Sequence, residues 1–160
     1  MAQALALTRA NLEEARRSVL DLRAAPLEGR TLTDALAVLA EEWKAKDNLR
    51  VNFEATGGSR PLPMRVEVGL YRVAQEALTN IARHAQAQHV TLQLVTQPGK
   101  VQLTIADDGR GFDPSHTPKG RYGLIGLNER VKLLSGSLRI ESGPGAGTRV
   151  EVTIPLEHKT

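Results

Sequence analysis

The stretch that decides the fold is MRVEVGLYRVAQEALTNIARHAQAQHVTLQLVTQPGKVQLTIAD, residues 64–107, in which the spacing of apolar residues changes period partway along. In its first half Val66, Leu70, Val73, Ala77 and Ile81 recur every three or four residues, the repeat of one helical face, and predict a helix from Met64 to Ala85. Arg72, Glu76, Asn80 and His84 stand four apart and form a second, polar stripe on that helix. In the second half Val90, Leu92 and Leu94, then Val101, Leu103 and Ile105, alternate with other residues. With Gln97-Pro98-Gly99-Lys100 as the connection, they predict two antiparallel strands. A helix and a hairpin joined in this way each have an apolar face to bury, and a layered α+β arrangement satisfies both.

Working outward, residues 31–46 read as a helix, with Thr33 as its N-cap and Leu32, Leu36, Leu39 and Trp43 along one side. Val51, Phe53 and Ala55 then alternate with polar residues as a half-buried strand, closed by Thr56-Gly57-Gly58-Ser59, and Pro61 and Pro63 mark a loop. Downstream, residues 107–126 turn abruptly to Gly, Asp, Pro, Lys, Arg and Ser, the composition of a long functional loop. A helix follows over 124–134 with Gly136 as its C-terminal cap. The chain closes with a hairpin built from Leu138, Ile140, Val150, Val152 and Ile154 around residues 143–147. At the front, Leu5, Leu12, Ala15, Val19 and Leu22 form a narrow helical stripe, which either meets a partner helix or folds back on the domain. This order of elements predicts one α+β two-layer sandwich preceded by an N-terminal helix.

Composition agrees. The 160 residues are 41% hydrophobic and 24% charged, which fits a globular protein and excludes a disordered or fibrous one. Lys and Arg exceed Asp and Glu by only 3 with no basic block, so nucleic-acid binding is not expected. One Trp, two Tyr and two Phe are too few to stack single-stranded bases and require a core of Leu, Val, Ile and Ala. The absence of cysteine excludes disulfides and thiolate metal sites and fits a reducing, cytoplasmic setting. No apolar run approaches the roughly 18 residues of a membrane span, so no membrane contact is expected.

Four short motifs carry chemistry. Glu76 and Asn80 share one side of a helix; they are either a solvated face or a carboxylate and an amide that hold a hydrated Mg²⁺ or orient a water. Asp107-Asp108-Gly109-Arg110-Gly111 ends a strand, where an Asp can accept from an exocyclic amine and the glycines admit close approach of backbone, or where the run is simply a turn. Gly123-Leu124-Ile125-Gly126-Leu127 opens a helix, whose freed N–H groups and dipole favour phosphate, with Lys119 and Arg121 nearby. It has neither the spacing of a dinucleotide fingerprint nor the ending of a P-loop. Gly145-Ala146-Gly147-Thr148 alone is a hairpin turn.

In this order and spacing the four resemble the boxes of the GHKL ATP-binding superfamily. Residues 75–85 resemble its N box, 107–111 its Asp-x-Gly-x-Gly box, 123–126 its second glycine box, and Gly147-Thr148 the Gly-Thr that closes the adenine pocket. The wording is most similar to the catalytic domain of two-component sensor histidine kinases, in the subgroup that includes the nitrate and nitrite sensors. Residues 12–23 also resemble the second helix of that subgroup's dimerisation hairpin. The resemblance implies a Bergerat fold, with a mixed, mainly antiparallel sheet and helices on one face. It divides the chain into the end of a hairpin helix, residues 1–28, and a catalytic domain, residues 29–160.

The resemblance also implies roles. Asn80 would contribute to Mg²⁺ coordination and Glu76 would orient water or metal near the γ-phosphate. Arg83, His84 and Lys119 would lie near the phosphates. Asp107 would accept from the adenine N6 amine, Gly109 and Gly111 would let the loop reach over ATP, and residues 112–122, ending at Tyr122, would be a lid. Gly123, Leu124 and Gly126 would present N–H groups to the phosphates, and Thr148 would reach adenine directly or through water. The implied partners are the kinase's own dimerisation hairpin and the receiver domain of a response regulator, and the full-length protein is expected to be a homodimer. The phosphoacceptor His expected on the first hairpin helix is matched by none of the four histidines, so the chain is expected to be a catalytic fragment. The alternative is a nucleotide-dependent interaction module or serine kinase of the anti-sigma-factor type, which lacks the hairpin helix.

Overall fold

The computed structural model describes residues 30–47, 49–57, 62–111 and 124–156. The helix expected over residues 5–22, the boundary at residue 28, and Lys119, Tyr122 and Gly123 lie outside the described residues, as do the side chains of His84 and Leu124. The elements are α1 (Leu32–Asp47), β1 (Arg50–Thr56), α2 (Met64–Asn80), β2 (His89–Gln97), β3 (Lys100–Asp107), α3 (Leu124–Leu133), β4 (Ser137–Ser142) and β5 (Thr148–Pro155). The strands form one sheet in the order β1-β2-β3-β5-β4. β1 and β2 are parallel, with α2 as the crossover that a parallel pair requires, and every other pair is antiparallel.

Because successive side chains of a strand point to opposite faces, the register lines them up in rows. One row runs Phe53, Leu92, Ile105, Val150 and Ile140, and the next runs Leu94, Leu103, Val152 and Leu138. Leu36 and Leu39 of α1, Leu70, Val73, Ala77 and Leu78 of α2, and Leu127 and Val131 of α3 join these rows in one core cluster. The opposite face carries Asn52, Thr91, Gln93, Gln102 and Glu151, so the helices cover one face and the arrangement is the expected α+β two-layer sandwich.

Three local details differ from the sequence reading. The N-cap of α1 is Thr31, whose Oγ1 accepts from the Asp34 N–H at 3.2 Å; Thr33 already lies inside the helix. The helix expected to run unbroken to Ala85 is α-helical only to Asn80 and finishes as a π-helical turn, Ile81–Ala85, before Gln86 takes φ 53°. Such turns are uncommon and concentrate at functional sites. At the end of α3 the left-handed residue is Ser135, φ 59°, not Gly136. The Gly136 N–H donates to Val131 O and the Ser135 N–H to Lys132 O, the two bonds of a Schellman motif. Gly136 is needed for a different reason: a Cβ there would lie 2.7 Å from the Thr153 carbonyl of β5.

Candidate nucleotide site

The row nearest the C-terminal end of β3 departs from the apolar pattern. It begins with buried Val51 and Val90 and continues as Asp107, Thr148 and Ser142. These three polar side chains point to the helix-covered face, where the core has run out. They are among the walls of a cavity of about 460 Å³ at this end of the sheet, which also takes in Gly143, Ala146 and Gly147 of the hairpin and Ala106, Glu141 and Arg149 of the adjacent, oppositely facing row. The Asp107 carboxylate accepts from the Gly109 N–H at 2.8 Å and from the Thr148 N–H. Burial still pushes its carboxyl above the usual carboxylate range; the Gly109 bond works against that shift, the neighbouring Asp108 charge adds to it, and the Thr148 bond opposes it. Gly147 has φ +73°, and a Cβ there would lie 2.1 Å from the Asp107 carbonyl oxygen, so the Gly-Thr step must be glycine for β5 to reach the Asp.

The loop after Asp107 is fastened on both sides. Arg110 N–H donates to Ala85 O at 2.8 Å, which ties the loop to the π-helical turn, and Gly145 N–H donates to Arg110 O at 2.6 Å, which ties it to the β4–β5 hairpin. A Cβ on Gly109 would sit 2.2 Å from Ala85 O, so close packing requires this glycine. After Gly111 the next described residue is 124. Asp108 turns the other way. Its Oδ1 accepts from the Gln88 and His89 N–H groups, both at 2.9 Å, and its Oδ2 lies 2.9 Å from His89 Nδ1. The His89 N–H, the His89 ring and the Gln88 N–H hold its carboxyl down at about 2.

A second cavity, about 670 Å³, lies between the three helices. Glu76, Asn80, Arg72 and Thr79 of α2, Gly126 and Arg130 of α3, and Trp43 and Glu42 of α1 are among its walls. Arg130 Nη2 donates to Glu76 Oε1 at 2.8 Å, bridging the helix before the loop and the helix after it. Arg130 Nε is buried and has no hydrogen-bond partner among the described residues. Burial lowers the Arg72 guanidinium below its ordinary range, and the Arg130 charge adds to this while Glu76 opposes it. Among the described residues no three His, Cys, Asp or Glu side chains gather as a metal cage. The oxygen donors Asn80 and Glu76 nonetheless fit Mg²⁺, which keeps several waters and takes the rest of its ligands from a phosphate chain.

The site residues expected from sequence thus fall into two groups. Glu76, Asn80 and Gly126 meet at the larger cavity; Asp107 and Thr148 meet at the smaller one, with Gly109 and Gly111 in the loop between. Nothing lies within 4 Å of where a Gly126 Cβ would be, so this glycine faces open space. Arg83 is exposed and on neither wall.

Residues 65–158 match the family described as histidine kinase-, DNA gyrase B- and HSP90-like ATPases. The chain belongs to that family. Among relatives of this ATPase domain, the signal transduction histidine-protein kinase/phosphatase DegS of Brevibacillus brevis is 35% identical over 150 residues, 94% of this chain and 39% of that protein. The sensor histidine kinase LiaS of Bacillus subtilis (strain 168) is 32% identical over 143 residues, 89% of this chain and 39% of that protein. The chain therefore spans about two fifths of the length of these curated relatives. The histidine kinase domain of the blue-light activated kinase of Erythrobacter litoralis EL346 superposes with a TM-score of 0.67 at 25% identity, over 79% of this chain and 62% of that one. The Acinetobacter baumannii histidine kinase AdeS, 15% identical with a TM-score of 0.62 over 98% of this chain and 84% of that one, shares the fold. The family likeness to sensor histidine kinases read from the four boxes is borne out; the names of DegS and LiaS do not speak to the nitrate and nitrite subgroup.

Four residues of the ATPase domain's site carry no role in the sequence reading. Asp108 stood in plain view inside the Asp-x-Gly-x-Gly box, but only the fold brings Gln88 and His89 to it. Arg130 lies 54 residues from Glu76, Ser142 sits in a stretch without motif spacing, and Arg72 belongs to the polar stripe but has no role assigned to it there. Among the described residues no helix is long and apolar enough to cross a membrane.

Proposed function

We propose that this chain is the catalytic domain of a two-component sensor kinase, which binds Mg-ATP and passes its γ-phosphoryl group to a histidine on the kinase's dimerisation hairpin, for relay to a response regulator. The observation that carries the reading is the Asp107 carboxylate, half-buried where the apolar rows of the sheet end and on the wall of the smaller cavity. A carboxylate held there at a cost in desolvation suits an exocyclic amine, and adenine presents one. Asn80 and Glu76, with Arg130 and Gly126, suit the phosphate end. In the transfer the γ-phosphorus bond to the bridging oxygen breaks, a bond to an imidazole nitrogen forms, and ADP leaves with the electron pair. The domain itself supplies positioning and charge complementarity and no covalent intermediate. Mg²⁺, when bound, neutralises charge on the phosphates, and Asn80 is the residue that would hold it. On the same reading, residues 1–28 are the end of the hairpin and the domain works in the cytoplasm within a homodimer.

Calorimetric titration with a non-hydrolysable ATP analogue, with and without Mg²⁺, should give one site per chain whose affinity rises with the metal. Adding a polypeptide that carries a hairpin histidine should then yield acid-labile phosphohistidine from ATP. Binding without any phosphohistidine would refute the kinase reading, and acid-stable phosphoserine on a partner would replace it with a serine kinase.

A further inference from the structure

The smaller cavity contains a hydroxyl pair whose protons the geometry orders. Ser142 Oγ lies 3.0 Å from the Gly147 carbonyl oxygen and 2.9 Å from Thr148 Oγ1. A carbonyl oxygen only accepts, so the single Ser142 hydroxyl proton is committed to Gly147. The bond between the two hydroxyls must then be donated by Thr148, whose only proton points to Ser142 Oγ. What Thr148 Oγ1 has left for the cavity is lone pairs. Asp107, in register with Thr148 on the next strand, also offers only acceptors when ionised.

We propose that Ser142 is a positioning residue for base selection: by fixing the Thr148 hydroxyl as an acceptor, it makes the pocket floor read an amino group and reject a carbonyl at the same place on a purine. The inference rests on the ATP-binding reading above and adds to it the residue that sets the polarity of the pocket. Without Ser142 the Thr148 hydroxyl rotates freely and can donate to a carbonyl, so a guanine base gains a partner that the intact pocket denies it.

The test is competition of ATP, ADP and GTP for the purified 160-residue chain. The unaltered chain should prefer ATP to GTP. Ser142→Ala should reduce that preference by about three- to tenfold and leave the ratio of ATP to ADP affinity unchanged, because the phosphate end is untouched. Ser142→Thr, which keeps the hydroxyl, should restore the preference. In a Thr148→Val background Ser142→Ala should change nothing further, which distinguishes action through Thr148 from a loss of packing and remains readable if the single variant folds poorly. An unchanged ATP to GTP ratio in Ser142→Ala, or an equal fall for both nucleotides, overturns the inference alone. Failure of the unaltered chain to bind ATP overturns the functional reading and the inference with it.

Discussion

Asp108→Asn isolates the charge of the carboxylate that fastens the loop to β2. The Asn keeps an oxygen for the Gln88 and His89 N–H groups but makes neutral bonds, which are roughly half as strong as charge-assisted ones. Moving a carboxyl from 3.8 to about 2 corresponds to about 2.5 kcal/mol of native-state preference for the ionised form. The side chain is 49% exposed, and solvent screening of a group so placed reduces this to about 1 kcal/mol. Because the folded value is depressed, the stabilisation is complete above the unfolded 3.8 and is lost as pH falls toward about 2. At pH 7 the variant should therefore melt about 2–4 °C below the parent, and the gap should shrink on titration from pH 5 to pH 3. Repeating the pair in a His89→Gln background removes the ring contact and leaves both backbone donors, so more than half of the gap should survive. Equal melting points at pH 7, or a gap that stays constant down to pH 3, would refute the assignment of Asp108 as a charged clamp.

Asp107→Asn should behave in the opposite sense: burial raises the parent carboxyl, so its contribution to stability is present at low pH and lost as pH rises through its folded value. The variant should melt at or above the parent temperature at pH 7 while its preference for ATP over GTP falls about tenfold, read by thermal melts and nucleotide competition. Asn80→Ala should leave the melt unchanged and weaken ATP binding at least tenfold, about 1.4 kcal/mol, in the presence of Mg²⁺ but not in its absence; calorimetry with and without chelator decides. Gly126→Ala adds a methyl in open space within α3, so it should raise stability by about 0.5–1 kcal/mol and yet weaken ATP binding, because the methyl enters the cavity. Unchanged ATP affinity in that variant would remove Gly126 from the phosphate end.

Periodicity predicted the elements because the core is built from regular rows: Val90, Leu92 and Leu94 alternate in sequence and are all buried in the sheet. The parallel pairing of β1 with β2 was out of reach, since nothing in Val51 or Phe53 reports which strand lies beside them. The π-helical turn was also hidden, because Ile81–Ala85 continues the helical spacing without a proline or glycine. At the site, residues inside a motif could be found and residues that complete it through space could not. Glu76 was visible and its partner Arg130 was not; Thr148 was visible and Ser142, which orders its proton, was not.

Asp107 and Asp108 are chemically identical neighbours, yet the fold drives them in opposite directions, the first up by burial and the second down by three hydrogen bonds. A strand alternates its faces, so the last residue of β3 turns inward to the helix-covered side and the next leaves the sheet toward β2. The outward carboxylate meets backbone donors and is most stable as an anion without any ligand. The inward one has two backbone N–H donors and is partly desolvated, an environment that a further donor in the cavity would complement. Loss of Asp108 should therefore weaken the folded state first and nucleotide binding second. Loss of Asp107 should spare the fold and remove the preference for adenine. One strand end thus separates holding the loop from reading the ligand, and the two variants measured side by side test that division.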